Sequence, residues 1–249
     1  MKYLVFMTRE QARNMARASK DAFEHWLRDY DSENRFQTIR LPYGLEVKHG
    51  RDNIERLFNG MFLPSEFWQD KTIIDIGCDC GGWCFEALHR GAKSVFGFDT
   101  NEKIIDLANR LSQKFDYVSQ TTFNVFNFDL MKWKKVVPIS DVVFINQCLY
   151  RFSTGDKTFH EVSPFCEYLF LYTWTTDLEP YPEISESLVW TPTVRDLAQK
   201  GYDAGFEYKY VIISDEEKEE FKRTGHLREK HQFLFSKEKE INCSVMQVI

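Results

Sequence analysis

Residues 71–83 constrain the fold of this chain more than any other stretch, because an apolar run there meets closely spaced glycines. The run Thr72-Ile73-Ile74-Asp75-Ile76 is rich in β-branched residues, and Gly77 and Gly81 follow it. From Phe85 onwards apolar residues recur at helical spacing, which predicts a strand, a tight turn and a helix. Glycine has no Cβ, so the turn can approach a ligand closely, and the N–H groups that begin the helix can face that ligand.

An acidic residue at the end of the next strand supports a ligand site at this turn. The run Ser94-Val95-Phe96-Gly97-Phe98 predicts a second strand, and Asp99 follows it directly. In a βαβ unit, an acid at the tip of the second strand can accept hydrogen bonds from both hydroxyls of a ribose. A glycine-rich turn followed by a correctly spaced acid is stronger evidence for such a ligand than either signal alone.

The residues of this turn, together with the acid after the second strand, resemble the first two motifs of class I S-adenosylmethionine (SAM) methyltransferases. A dinucleotide dehydrogenase more often carries three glycines in the pattern G-x-G-x-x-G and lacks the first acid. The usual methyltransferase pattern has a further glycine at the position that Asp79 takes here. The resemblance implies SAM as the cofactor. The residues that it assigns to cofactor binding are Asp75, Gly77, Cys78, Gly81, Asp99 and Thr100.

Length and charge limit the class of protein. The 249 residues, 43% of them hydrophobic, suffice for one α/β domain with a sizeable core and a short appendage. A net charge of -6 and a pI of about 5.6 give no general attraction for nucleic acid and favour small or neutral substrates. The first residues contain too few apolar side chains for a signal peptide, and no window approaches a membrane span. We therefore expect a soluble, cytoplasmic protein with no membrane partner.

The cysteines raise the question of a metal site. Six cysteines without paired spacing are typical of a protein in a reducing compartment. Cys78, Cys80 and Cys84 cluster at the turn and the start of the helix, but no pair of histidines accompanies them. We therefore interpret them as thiols of the loop and the core and predict no metal.

The chain upstream of the first strand predicts a helical extension over residues 1–62 that covers the site, followed by the methyltransferase-like domain over residues 63–249. An amphipathic stripe indicates a helix over residues 8–30, and a shorter stripe begins at Ile54. Between them, residues 36–44 predict a short extended piece that ends in a turn. The basic residues of this upstream segment form either a solvated face or an anion site. They are Arg40, Lys48, His49, Arg51 and Arg56.

Further strands continue the α/β pattern downstream. Apolar runs predict a third strand over residues 121–128, a fourth strand with its exit over 141–150, and a fifth over 168–174. Two antiparallel strands, over 208–213 and 231–235, would complete the sheet. The fold class that follows is α/β, with a Rossmann-like, seven-stranded mixed sheet and helices on both faces. Helices are predicted over residues 103–112, with a start near Thr100-Asn101-Glu102, and after Pro192-Thr193.

The carboxyl ends of these strands supply further candidate site residues, because ligands of such sheets bind in the crevice outside those ends. Asn146, Gln147 and Tyr150 follow the fourth strand, and Tyr172 and Trp174 end the fifth. We predict that Asn146 contacts the cofactor and that Tyr150, Tyr172 and Trp174 contact the substrate. Core packing is the common alternative for each aromatic side chain.

Two features near these strands have two readings each. Asp129 follows the third strand, where an acid would meet the adenine amino group, but a capping or loop aspartate would occupy the same place. The long, acidic and aromatic stretch over residues 175–189 suits a lid on the ligand side of the sheet, or an ordinary solvated loop.

A finer resemblance is to the subfamily of the tRNA wobble-uridine carboxymethyltransferase and its (mo5U34)-methyltransferase-like relatives. Members that use carboxy-SAM hold its extra carboxylate with basic residues and a tyrosine. Tyr150 matches that tyrosine, Arg151 stands where a histidine is frequent, and the upstream lysine and tryptophan contacts have no match. The resemblance therefore implies plain SAM more than carboxy-SAM. The matching segments, in order, are residues 39–44, 85–92, 149–150, 192–193, Leu197 and 205–206.

Methyl transfer needs in-line approach of a nucleophile to a sulfonium methyl, which positioning and desolvation can promote without covalent help from the protein. A general base is required only if the acceptor is a hydroxyl or amine that must lose its proton. Tyr150 and His160 are the candidates for catalysis, with His49 as a further one. A packed tyrosine or a surface histidine is the alternative reading in each case.

Three hypotheses for function follow. The first is a SAM-dependent methyltransferase that acts on a small molecule. The second is an RNA-modifying enzyme of the wobble-uridine type, with tRNA as its partner and residues 48–56 as its phosphate contact. The third is a non-catalytic SAM-binding or scaffold protein, motivated by Asp79 in place of glycine and by the lack of an evident base. The sequence leaves the oligomeric state open.

Overall fold

The computed structural model of the protein shows a mixed β-sheet with helices on both faces. The residues that it describes are 37–40, 46–47, 52–60, 63–128, 137–149, 152, 157–175, 192–212, 229–237 and 246–248. Within them, a small sheet contains β1 (Gln37–Arg40), β2 (Glu46–Val47) and β3 (Asp52–Asn53). The main sheet contains β4 (Thr72–Ile76), β5 (Ser94–Asp99), β6 (Thr121–Val125), β7 (Val142–Asn146), β8 (Tyr168–Thr175), β9 (Tyr208–Ile212), β10 (Glu229–Ser236) and β11 (Met246–Val248).

The strand order of the main sheet places the glycine-rich turn at its centre. The order is β11-β9-β10-β8-β7-β4-β5-β6, in which β4 to β8 run parallel to one another, β10 pairs antiparallel with β8 and β9, and β11 pairs antiparallel with β9. Ile76 of β4 lies opposite Phe98 of β5 and Ile145 of β7, so these strands end at one common edge. The predicted Rossmann-like mixed sheet is confirmed. β11 adds an eighth strand, which is too short for a period-two signal in the sequence.

The helices divide between the two faces of the sheet. On the first face, α1 (Ile54–Gly60), α2 (Gly82–His89) and α3 (Glu102–Lys114) pack on apolar side chains that include Ile73 and Phe144. On the second face, α4 (Thr158–Val162) and α5 (Val194–Asp203) pack on side chains that include Ile74 and Ile145. Among these described helices, none combines the length and the apolar character that crossing a bilayer requires.

Local capping explains where two predicted helices begin. The side chain of Asn101 accepts hydrogen bonds from the N–H groups of Lys103 and Ile104, which confirms the predicted start of α3. At α5, Thr193 accepts from the N–H of Asp196, whose carboxylate accepts in return from the N–H of Thr193. This reciprocal capping box fixes the helix start that Pro192-Thr193 predicts.

The described part of the predicted extension packs directly on the main sheet. The ring of Phe58 in α1 lies 4.9 Å from the rings of both Trp68 and Trp83, and 5.8 Å from that of Phe144. The backbone of β1 and α1 agrees with the predicted extended piece and the second helical stripe. The predicted amphipathic helix over residues 8–30 lies outside the described residues, and the domain boundary at residue 62 stays a prediction.

A buried ion-pair network joins this N-terminal segment to α2. Glu86 of α2 is 2% exposed and accepts hydrogen bonds from Arg40 of β1 at 2.8 and 3.2 Å and from Arg90 at 2.8 Å. Arg40 also donates to Glu55 at 2.9 Å, and Arg90 donates to Asn59 at 2.7 Å. Arg40 therefore connects β1 to α2 and α1, and Arg90, at the end of α2, connects Glu86 to α1. Charged contacts as well as apolar packing hold the N-terminal segment on α2.

Candidate cofactor site at the carboxyl edge of the sheet

The turn between β4 and α2 contains three residues in the left-handed region of backbone space. Gly77, Asp79 and Gly81 have φ values of 72°, 50° and 87°. Aspartate is one of the few side chains that tolerate this region, because its short polar side chain can bond locally. Asp79 thus adopts the conformation for which the usual motif carries a glycine, and the departure from that motif leaves the shape of the turn intact.

Neighbouring side chains explain why Gly77 and Gly97 lack a Cβ. A Cβ on Gly77 would lie 2.7 Å from the sulfur of Cys148, whose thiol donates to the carbonyl of Ile76 at 3.0 Å. A Cβ on Gly97 of β5 would lie 2.4 Å from the ring of Phe123. Cys148 therefore packs against the turn from the β7 side, and Phe123 packs against β5 at Gly97.

Asp99 is bonded to the turn by both of its carboxylate oxygens. Oδ2 accepts from the N–H of Asp79 at 3.1 Å, and Oδ1 accepts from the N–H of Asn101 at 3.0 Å. A carboxylate has about four lone-pair sites, so each oxygen keeps capacity for a further donor. The two backbone bonds orient a partly buried carboxylate at the tip of β5, where the sequence predicts a ribose contact.

Two buried polar side chains lie on the same face of the sheet near this edge. Side chains alternate along a strand, so Asp75 shares the first face with Ile73, and Asn146 shares it with Phe144. Asp75 is 0% exposed and Asn146 is 6% exposed. Among the described residues, neither Oδ1 of Asp75 nor Nδ2 of Asn146 has a hydrogen-bond partner. A buried polar atom without a partner is costly, which points to a ligand that would pair with both.

Burial and neighbouring charge change the acidity of Asp75. Its Oδ2 accepts a weak hydrogen bond from the thiol of Cys84 at 3.7 Å. Desolvation by burial raises the pKa of Asp75 well above its usual value, and the carboxylates of Asp99 and Asp79 raise it further. The Cys84 bond lowers it only in part.

The exit of β7 has a strained backbone beside the candidate substrate side. Gln147 has a φ of 57°, and its N–H donates to the carbonyl of Tyr172 at 2.6 Å. Tyr172 is half-buried and lies opposite Asn146 in the register of β7 and β8. Strained residues of this kind cluster at functional sites. The structure therefore brings Tyr172 next to Asn146, and Trp174 belongs to the same strand.

The remaining predicted residues fall into three groups. Cys78 is fully buried and its N–H donates to the carbonyl of Phe98 at 3.0 Å, so both its side chain and its N–H are engaged inside the protein. Thr100 is exposed directly after Asp99. His160 is exposed on α4, on the second face, and the structure does not bring it to the group around Asp75. Asp129 and Tyr150 lie outside the described residues.

Sequence reasoning missed two contributors to this region. Cys148 contacts the turn only because β7 neighbours β4, and the order of strands leaves no local mark in the sequence. Glu86 occupies a helix in which residues 82–88 are all buried, so no polar face distinguishes it by period. Its place four residues before Arg90 was the only available signal.

Replacing Gly77 with alanine is expected to cost about 2 to 4 kcal/mol of stability, through left-handed strain and overpacking against Cys148. Cofactor affinity should fall as well, since the turn must shift. Gly205 provides a matched control, because its φ is 87° and nothing lies within 4 Å of its added Cβ. Gly205→Ala should cost only about 1 to 2 kcal/mol from strain and leave affinity unchanged. Urea denaturation compares the two, and equal losses would contradict the role of the Cys148 contact.

Comparison with known proteins agrees with this geometry. A family model described as a methyltransferase domain matches residues 69–169. That range contains the turn, Asp99 and Asn146, whereas Tyr172 and Trp174 lie just beyond it. No curated protein matches the chain by sequence.

Solved structures share the fold at low sequence identity. An O-methyltransferase family protein from Burkholderia thailandensis is 17% identical over 75% of this chain, with a TM-score of 0.55, and the chain spans 56% of that protein. The N-terminal domain of EvdMO1, determined with S-adenosylhomocysteine (SAH) and D-fucose, is 15% identical over 95% of this chain and all of that domain, with a TM-score of 0.60. The magnesium protoporphyrin IX methyltransferase of Synechocystis PCC 6803, with bound SAH, is 13% identical over 89% of this chain and 99% of that one, with a TM-score of 0.55.

Proposed function

We propose that this chain, a class I SAM-dependent methyltransferase, transfers the methyl group to a small-molecule acceptor bound at the carboxyl edge of its parallel strands. The observation that carries the proposal is the arrangement of one sheet edge. There the left-handed glycine turn, the oriented carboxylate of Asp99 and two buried polar atoms that have no partner among the described residues lie together.

The residues of this edge fit the parts of SAM. Asp99 would accept the ribose hydroxyls, and the backbone of residues 77–81 would run beside the adenosyl group. Oδ1 of Asp75 would accept from the α-ammonium, and Nδ2 of Asn146 would donate to the α-carboxylate, so the ligand would satisfy both unpaired atoms. Asp129 would contact the adenine amino group. SAM supplies a methyl group activated on a sulfonium. Three acidic side chains, Asp75, Asp79 and Asp99, lie at or beside the turn, which favours SAM over the more negative carboxy-SAM.

Catalysis in this proposal rests on placing the acceptor. Tyr172 of β8 lies opposite Asn146, the last residue of β7, and with Trp174 and Tyr150 it would form the acceptor side of the pocket. Tyr150 would act as a base only for a hydroxyl or amine acceptor. In α1, the carbonyl of Leu57 accepts from the side chain of Gln232 at 3.1 Å, and Gln232 lies opposite Tyr172. This contact supports the proposal that residues 1–62 cover the site.

Several observations favour a small acceptor over RNA. The net charge of -6 provides no attraction for phosphates. Among the basic residues of the segment upstream of the main sheet, Arg40 is the one whose side chain the structure describes, and it is bound to Glu86 and Glu55. Two of the similar structures concern small molecules, since one was determined with D-fucose and another methylates magnesium protoporphyrin IX.

An RNA-modifying enzyme is the second candidate, and one contact supports it. Arg40 and Glu86 belong to two separate segments that resemble the wobble-uridine subfamily, and the structure joins them at 2.8 Å. In that case residues 48–56 would contact the phosphates, with tRNA as the partner.

The test combines binding and transfer. The protein is first titrated calorimetrically with SAM, and it is then incubated with methyl-labelled SAM and either a pool of small metabolites or total tRNA. We expect SAM binding and label in the small-molecule fraction. Label in tRNA would support the second candidate, and SAM binding without transfer to either pool would support a non-catalytic SAM-binding protein. A failure to bind SAM would overturn all three.

A further inference from the structure

Asp75 lies in an environment that does not accommodate a negative charge. Its carboxyl is fully buried, and among the described residues its only hydrogen-bond partner is the thiol of Cys84, 3.7 Å from Oδ2. A thiol is a weak donor. Oδ1 has no described partner at all. An ionised carboxylate in this position would lose its hydration with almost nothing in return.

Among the described residues, the titratable groups that face Asp75 add no positive charge. From the turn these are the thiol of Cys78 and the carboxylate of Asp79, from α2 the thiol of Cys84, and from β5 the carboxylate of Asp99. From β7 the polar side chain is the uncharged Asn146.

The basic side chains at the end of α2 and directly after it contact another acid, Glu86. Arg90 follows α2 and binds Glu86 at 2.8 Å, and Nδ1 of His89 lies 3.9 Å from the same carboxylate. Like charges and burial both disfavour ionisation and raise the pKa of Asp75, which shifts its equilibrium toward the neutral acid.

We propose that Asp75 holds a proton in the cofactor-free protein and releases it when the α-ammonium of the cofactor binds beside Oδ1. The inference rests on the proposed function, since it assigns the amino-acid end of SAM to this position. In the step, the O–H bond of the carboxyl breaks, the proton passes to the buffer, and an ammonium–carboxylate ion pair forms. The cofactor supplies a positive charge that the described residues around Asp75 do not provide.

The proposal predicts how cofactor affinity changes with pH. Because binding releases a proton, cofactor affinity rises with pH, by up to about tenfold per pH unit, until the free carboxyl itself ionises. A ligand without an amino-acid end should show no such rise. 5′-Methylthioadenosine is that ligand, since it keeps the adenosyl group and lacks the ammonium and the carboxylate.

The experiment is calorimetric titration of the full chain with SAH at pH 6.5, repeated in buffers of different ionisation enthalpy. The dependence of the observed heat on the buffer counts the protons released. We expect about one proton per bound SAH, and close to none for 5′-methylthioadenosine. The Asp75→Asn variant should bind SAH more weakly and release no proton.

The outcomes separate this inference from the proposed function. Tight SAH binding with no proton release, or with the same release for 5′-methylthioadenosine, would overturn the inference and leave the proposed function in place. If neither nucleoside binds, the proposed function fails, and the inference fails with it. The comparison of two ligands on the unchanged protein stands even if Asp75→Asn does not fold.

The pH dependence of the melting temperature of the cofactor-free protein is a second test for the proton on Asp75. A carboxyl that is protonated when folded and ionised when unfolded destabilises the folded state as pH rises above the unfolded pKa of about 3.9, up to the folded pKa. The melting temperature of the cofactor-free protein should therefore fall between pH 5 and pH 7 relative to that of Asp75→Asn. Parallel curves for the two proteins would contradict the proposal.

Discussion

Replacing Asp99 with alanine is expected to weaken SAH binding by roughly 30- to 1000-fold, the equivalent of about 2 to 4 kcal/mol. The carboxylate is held at the tip of β5 by the N–H groups of Asp79 and Asn101, so it is already oriented for the ribose hydroxyls. Hydrogen bonds to an ionised acceptor are about twice as strong as neutral ones. Calorimetric titration of the purified variant with SAH measures the loss.

Asp141 provides a matched control at the opposite edge of the sheet. Its carboxylate also accepts from a backbone N–H, that of Thr72 at 2.7 Å, and it precedes β7 instead of following a strand. Both alanine variants should lose about 1 to 3 kcal/mol of stability, because Asp99→Ala leaves two backbone donors, and Asp141→Ala one, without the carboxylate acceptor. Asp141→Ala should bind SAH as tightly as the unchanged protein. If both variants lose affinity equally, Asp99 acts only through folding.

Replacing Glu86 with glutamine is expected to destabilise the protein by about 3 to 5 kcal/mol, because Arg40 and Arg90 would face an uncharged amide in a buried position. The side chain of Glu86 is 2% exposed, and those of Arg40 and Arg90 are 40% and 20% exposed. The arginines can reach water when their partner is lost, whereas Glu86 cannot. Arg40→Met, which leaves the buried carboxylate with Arg90 but without Arg40, should therefore cost at least as much as Glu86→Gln, and urea denaturation compares the two.

An exposed pair of the same spacing serves as the control. Asp106 and Arg110 in α3 form an i,i+4 pair at 3.0 Å, with both side chains about half exposed. Asp106→Asn should change stability by less than about 0.5 kcal/mol, as exposed pairs of this kind usually do. A Glu86→Gln loss as small as that of Asp106→Asn would show that the network does not hold the N-terminal segment.

The ion pairs of Glu86 also predict how the stability of the protein changes at acid pH. Burial alone would raise the pKa of Glu86, but the contacts with His89 and Arg90 and the charge of Arg40 outweigh it and lower the pKa. A carboxylate whose folded pKa is depressed contributes stability above its unfolded pKa and loses it as pH falls through the folded value. The loss should therefore begin below about pH 4.3, the unfolded pKa of glutamate. Glu86→Gln should lack this part of the acid transition, which melting curves over that range would show.

The parts of the fold that local pattern determines could be predicted from the sequence. The β-branched run of β4, the glycine turn and the apolar spacing of α2 each reflect a local preference. The helix starts at Asn101 and Thr193 follow in the same way, because a cap bonds within its own first turn. Asp99 could be predicted because its distance from the turn is set by one βαβ unit.

Features that depend on strand order could not be predicted. The contact of Cys148 with Gly77 requires that β7 lie beside β4, although β5 and β6 come between them in the chain. The pairing of Arg40 with Glu86 joins residues 46 positions apart, and nothing local marks either one as the partner of the other. The left-handed backbone conformation of Asp79 could not be predicted from the residue type, because the usual signal for that conformation is a glycine.

The binding of SAM at residues 77–81 and Asp99 is the central claim, and a crystal structure with SAH bound tests it most directly. We predict the adenosyl group beside the turn, with both ribose hydroxyls within hydrogen-bond distance of the Asp99 carboxylate and the amino-acid end beside Asp75 and Asn146. A structure in which SAH binds elsewhere, or in which side chains fill the crevice and Asp99 points away from it, would contradict the claim.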